Sequence, residues 1–191
     1  IKAAEGLTVE GGLTASSLIV NKQITAQHGV KVVGGLTVDR ITASKHIKAA
    51  EGLTVEGGLT ASSLIVNKQL TAQHGVKVVG GLTVDRITAS KQIKASEGLT
   101  VEGGVTASSL IVNKQITAQH SVKVVGGLTV DSVVASKQIK ATEGLVAVGG
   151  LTVDTIRGGA TFTRAATVQG GLTVDRITAS KHIKAAEGLT V

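Results

Sequence analysis

The sequence predicts an all-β solenoid, a chain wound into stacked coils of short strands, on three observations. The chain of 191 residues repeats itself with a period of 23. Within each period a bulky aliphatic residue returns every five or six positions, followed two places on by a smaller apolar one. The apolar residues are almost all Ile, Leu, Val and Ala, with one Phe (Phe162) and no Trp, Tyr, Met, Cys or Pro. A fixed period marks a repeat architecture before any local propensity is weighed. A spacing of two puts both apolar side chains on one face of a strand and the residue between them on the other. An interior without aromatics suits a thin core of constant width.

The first kind of repeat, residues 1–23, reads IKAAEG, LTVEGG, LTASS and LIVNKQ. The second kind, residues 24–46, reads ITAQHG, VKVVGG, LTVDR and ITASKH. Its segments open on Ile24, Val30, Leu36 and Ile41 and carry Ala26, Val32, Val38 and Ala43 two places on. The two kinds alternate, so residues 1–46, 47–92 and 93–138 are near copies of a 46-residue double repeat. Residues 139–182 form a divergent copy, two residues shorter, and 183–191 repeat 1–9 letter for letter. The whole is one repetitive domain.

Four segments, one full 23-residue repeat, are expected to close one coil, because that period stacks like on like. Gly11-Gly12 would then lie under Gly34-Gly35, Gly57-Gly58, Gly80-Gly81, Gly103-Gly104, Gly126-Gly127 and Gly149-Gly150, at corners where backbones crowd or φ is positive. A three-segment coil would set five-residue sides on six-residue sides and separate the glycine pairs. With one repeat per coil the chain makes about 8 coils, on the order of 40 Å of rod, with about eight inward apolar side chains in each. In the divergent copy, Ala160-Thr161-Phe162 exchanges the usual large and small positions, as two positions sharing one interior would. The two-residue shortening falls at Ile156-Arg157-Gly158-Gly159. An alternative is an intertwined trimeric β-fibre, with three chains sharing each layer.

Stacking at 23 also predicts surface columns. One alternates Glu5, His28, Glu51, His74, Glu97, His120 and Glu143, and another alternates Lys2, Thr25, Lys48, Thr71, Lys94, Thr117 and Lys140. A third is all lysine: Lys22, Lys45, Lys68, Lys91, Lys114 and Lys137. Each adjacent lysine pair would cost roughly 0.9 kcal/mol in a water-like dielectric, so this column is where acids of a neighbouring chain are expected. The most regular threonine column is Thr14, Thr37, Thr60, Thr83, Thr106 and Thr129, continued by Thr152 and Thr173.

These columns bound the chemistry. The net charge of +7 reads as a solvated surface that keeps an apolar rod soluble, or as a face for an anionic polymer. No aromatic platform accompanies the lysines, which argues against single-stranded nucleic acid. A flat Glu/His column brings two ligands together at a time, where a metal asks for three or four, so no metal and no cofactor is expected. The threonine column could face ice, but the T-x-T double rank used for that purpose is absent. No Walker loop, nucleophile elbow or dinucleotide fingerprint occurs, and no enzyme is expected. No apolar run reaches the roughly 18–20 residues of a membrane helix.

The run V-x-G-G-L-T-V-D-x-I-T-A-S resembles the "GGLTV" shaft repeats of phage tail fibres and other bacterial fibrous surface proteins. More loosely, the chain resembles the bactofilins, cytoskeletal β-helices that polymerise end to end. The resemblance implies a structural fibre or filament shaft, self-associating or part of a longer array, at the cell or virion surface; the bactofilin likeness implies a cytoplasmic filament. It carries over no chemically active residue. A solenoid that begins and stops in mid-repeat is expected either to be excerpted from a longer array or to dock on identical neighbours. A binding module using the Lys22–Lys137 or Thr14–Thr129 columns, on an anionic cell-surface polymer, a glycan or ice, is the alternative.

Overall fold

The computed structural model describes residues 1–149, 151–157, 160–162, 166–168, 171–173 and 176–191, without the side chains of 152–155, 157, 162, 171 and 173. The described residues are all-β, with every strand pairing parallel, and they wind into a β-solenoid of about ten turns. At about 4.8 Å per turn the rod is on the order of 48 Å long. The ladder closes within the one chain, strands away from its two ends pairing with strands one turn before and after them. The fold therefore needs no intertwined partner chains.

The coil is not the sequence repeat. Leu7 pairs with Ile24, Leu13 with Val30 and Leu18 with Leu36, offsets of 17, 17 and 18. Three consecutive segments span those offsets, so each turn has three sides, and the expected four-sided coil is overturned. The interior supplies the reason. Each side sends two side chains inward, six per turn rather than eight, as in Leu18 and Val20, Ile24 and Ala26, and Val30 and Val32, all fully buried. Across a triangle these small aliphatics meet. A square of the same side length would leave a central void that Leu, Val and Ala could not fill, and interiors do not tolerate such voids. No polar or charged side chain is buried among the described residues.

Five-residue sides do stack on six-residue sides, and the chain absorbs the mismatch in two ways. Where LIVNKQ lies under LTVDR, the register slips between Val20 and Gln23, so that Asn21 and Lys22 together face Asp39. This is a β-bulge, one extra residue on one strand, and it recurs between Ala43 and His46. On the other flank of each short side lies a glycine pair. Gly57 N–H donates to the Asp39 carbonyl at 2.6 Å, and a Cβ on Gly57 would stand 2.9 Å from that oxygen. Gly34 repeats the arrangement over Ser16, where a Cβ would stand 2.6 Å from the carbonyl oxygen.

The glycine pairs thus stack on the short corners, not on one another: Gly34 sits over Ser16, Gly57 over Asp39 and Gly103 over Asp85. Crowding explains them, since positive φ occurs only at Gly144 and Gly188 among the described residues. In the divergent copy the offset falls to 15, with Leu145 paired to Ala160 and Leu151 to Ala166. Ala160 is buried. The Phe162 side chain and the 158–159 corner, the other parts of that expectation, lie outside the described residues, as does Gly150 of the last expected glycine pair.

Candidate functional surface

A 23-residue repeat, on a coil whose successive rungs are offset by 17 or 18, advances four sides, one full turn and one face more. Equivalent residues therefore climb the rod as a screw and visit all three faces. Every column expected at 23 is dispersed, and new neighbours appear at 17 and 18.

The lysine column separates into two sets. Lys22, Lys68 and Lys114 form ion pairs with Glu5, Glu51 and Glu97, and each pair lies on a different corner of the triangle. The acids expected from a neighbouring chain come from the same chain, one turn below. Both partners are more than half exposed, so each pair contributes little on its own. Lys45, Lys91 and Lys137 fall instead beside His28, His74 and His120, because the register is 17 on both sides of that corner, as at Ala26–Ala43 and Val30–Ile47.

The histidines are fixed from below. Nδ1 of His28 donates to the Glu10 carbonyl at 3.0 Å, and His74 and His120 do the same to Glu56 and Glu102 at 2.7 Å. A carbonyl can only accept, which places the proton on Nδ1. The alternating Glu/His column thus becomes two separate motifs, Glu with Lys and His with a backbone oxygen. Among the described residues no group of three His, Asp or Glu is arranged to hold a metal ion.

The threonine column is likewise redistributed. Thr14 pairs with Lys31, Thr60 with Thr42 and Lys77, Thr83 with Ile65 and Thr100, and Thr129 with Ile111 and Val146. Thr37 and Thr106 share one face as the ends of an uninterrupted ladder, Thr37, Thr54, Thr71, Thr88 and Thr106. The side chains of Thr152 and Thr173 lie outside the described residues.

What sequence reasoning missed are the pairs at the ends of such ladders. Lys31 lies directly against Lys48, Lys77 against Lys94 and Lys123 against Lys140. Ammonium groups one rung apart repel by about 0.9 kcal/mol in a water-like dielectric, less where the side chains splay. Reading every third segment, rather than every fourth, would have revealed them.

Comparison of the chain with family models, with curated proteins and with solved structures returns no match. The surface must be judged on its own chemistry. Among the described residues it offers open clefts between rungs, including one of about 370 Å³ by Glu143, Val146, Thr161, Arg176 and Thr178. Another of about 230 Å³ lies by Asn21, Thr37, Asp39 and Glu56, and its equivalent of about 250 Å³ lies by Asn67, Thr83, Asp85 and Glu102. Among the described residues no helix is long and apolar enough to cross a membrane.

Proposed function

We propose that the chain is a structural shaft, the repetitive body of a fibre or filament that sets a distance or carries other parts. The observation that carries this reading is the continuity of the ladder. Triangular layers of aliphatic side chains recur from Leu18 to Ala147, and the described strands pair in parallel along the rod. Such a rod resists bending and lengthens simply by adding repeats. Its surface groups are dispersed over three faces in the manner of a uniform shaft, and the clefts among the described residues are open rather than enclosing. The likeness of its repeats to tail-fibre shafts supports a place at a cell or virion surface. Self-association, end to end or side by side, belongs to the same proposal.

Electron microscopy and sedimentation of the purified chain test it. Rods with a one-chain triangular cross-section are expected, about 48 Å long singly and in multiples of that length where copies join. Compact particles that stay monomeric at high concentration would defeat the filament reading. A mass of three chains in a thicker rod would favour the intertwined alternative.

A further inference from the structure

We propose that the rod binds a flexible linear anionic polysaccharide along a screw path of three repeated basic patches. Each patch occupies two rungs and combines one histidine with three lysines. The first is His28, Lys31, Lys45 and Lys48; the second is His74, Lys77, Lys91 and Lys94; the third is His120, Lys123, Lys137 and Lys140. In each, two lysines are direct cross-strand partners on a face, and the third stands beside the histidine at the adjoining corner. All twelve side chains are exposed. The ion pairs of the described residues engage Lys22, Lys68 and Lys114 instead, so the patches keep their positive charge.

The surrounding acids do not cancel it. Glu51 and Glu97, on the same rungs as Lys48 and Lys94, are bound to Lys68 and Lys114. Glu56, at the corner beneath His74, offers that ring its backbone carbonyl. The carboxylates of Glu10, Glu56 and Glu102, beneath the three histidines, and of Glu143, on the rung of Lys140, have no lysine partner among the described ion pairs, so three lysines outnumber one such acid at the first two patches and two at the third. Beside the second patch a cleft of about 270 Å³ is lined by Thr60, Gln92, Lys77 and Lys94 together with Gly58 and Gly75. It sets a hydroxyl and an amide next to two ammonium groups, donors suited to a sugar acid with its hydroxyls and carboxylate.

Geometry selects the partner. Successive patches are one double repeat apart, eight sides of the triangle, so each lies on a different face about 13 Å further along the rod. A planar lipid surface or a rigid duplex meets one face at a time. A flexible chain can follow the screw, spanning roughly 23 Å between patches, from a third of a perimeter of about 57 Å and the rise of about 13 Å. No tryptophan or tyrosine is present to stack nucleobases, and stacking is what sequence-tolerant binding of single strands relies on. The inference rests on surface chemistry and stands or falls separately from the shaft reading.

The test titrates the full chain with polygalacturonate and with its trisaccharide at low and high salt. The polymer is expected to bind at least tenfold more tightly than the trisaccharide, since it reaches several patches at once, and to be released by salt. The double variant Lys77→Gln/Lys94→Gln should weaken polymer binding about tenfold. Lys2→Gln/Lys184→Gln removes the same charge from exposed lysines outside the patches and the described ion pairs and should change it less than twofold, with circular dichroism showing both variants folded. Equal losses in the two variants would mean that net charge alone binds, and would overturn the proposal. So would equal affinity for polymer and trisaccharide, or tighter binding to oligothymidylate or to phosphatidylserine vesicles.

Discussion

Thr37 lies directly beside Thr54, and not beside Thr60. Thr54 is its neighbour one turn of the coil on, whereas Thr60 is its counterpart one sequence repeat on. Every property of the surface derives from that difference.

Because the chain has no cysteine, paired substitutions can read the coil length directly. Thr37→Cys with Thr54→Cys should oxidise to a disulfide without loss of structure, since parallel neighbours fall within the Cα separation of roughly 4.4–6.8 Å that a disulfide accepts. Thr37→Cys with Thr60→Cys should stay reduced in the monomer. Mass spectrometry after mild oxidation checks both, and the reverse result would restore the 23-residue coil.

The glycine pairs divide into two kinds. Gly57→Ala and Gly103→Ala drive a Cβ to within 2.9 Å of an Asp backbone carbonyl and should destabilise by about 1–3 kcal/mol each, the range for overpacking. Gly35→Ala and Gly81→Ala meet nothing within 4 Å and are not left-handed. They should be neutral or stabilising by about 0.4–1 kcal/mol. Denaturant unfolding of the four variants distinguishes crowding from conformational freedom.

Leu64 is fully buried between Ile47 and Leu82 on successive rungs. Leu64→Ala should cost about 2–5 kcal/mol, because neither rung can close the gap without breaking its hydrogen bonds. Overpacking is expected to hurt as well: Ala61→Val, in the same layer, should cost about 1–3 kcal/mol. Urea midpoints at constant slope would check both values.

The Glu51–Lys68 pair is exposed on both sides. A double-mutant cycle with Glu51→Gln and Lys68→Gln should give a coupling of about 0.2–1 kcal/mol that shrinks with salt. A coupling several times larger would mean that the corner is far less solvated than its exposure indicates.

The solenoid itself was legible in the letters. Alternation of Ile, Leu or Val with Ala or Val two places on determines which side chains turn inward, and Leu18, Val20, Ile24 and Ala26 are buried as that pattern requires. Fixed periodicity determined the repeat class for the same reason. The candidate site was less legible, because a column depends on the residue one turn above and not on the next residues along the chain. Lys22 found Glu5 and left Lys45 to His28, a choice no local pattern encodes.

By itself, then, the sequence determined the strand, its inward face and the length of each side. The tertiary structure alone decided how many sides close a turn, because that depends on whether opposite walls touch. Six small aliphatics fill a triangle and leave a square hollow, so the coil closes at three. The repeat of four segments is thereby thrown one face forward at each step. That offset separates the glycine pairs, brings acids of the same chain to Lys22, Lys68 and Lys114, and carries Lys31 against Lys48.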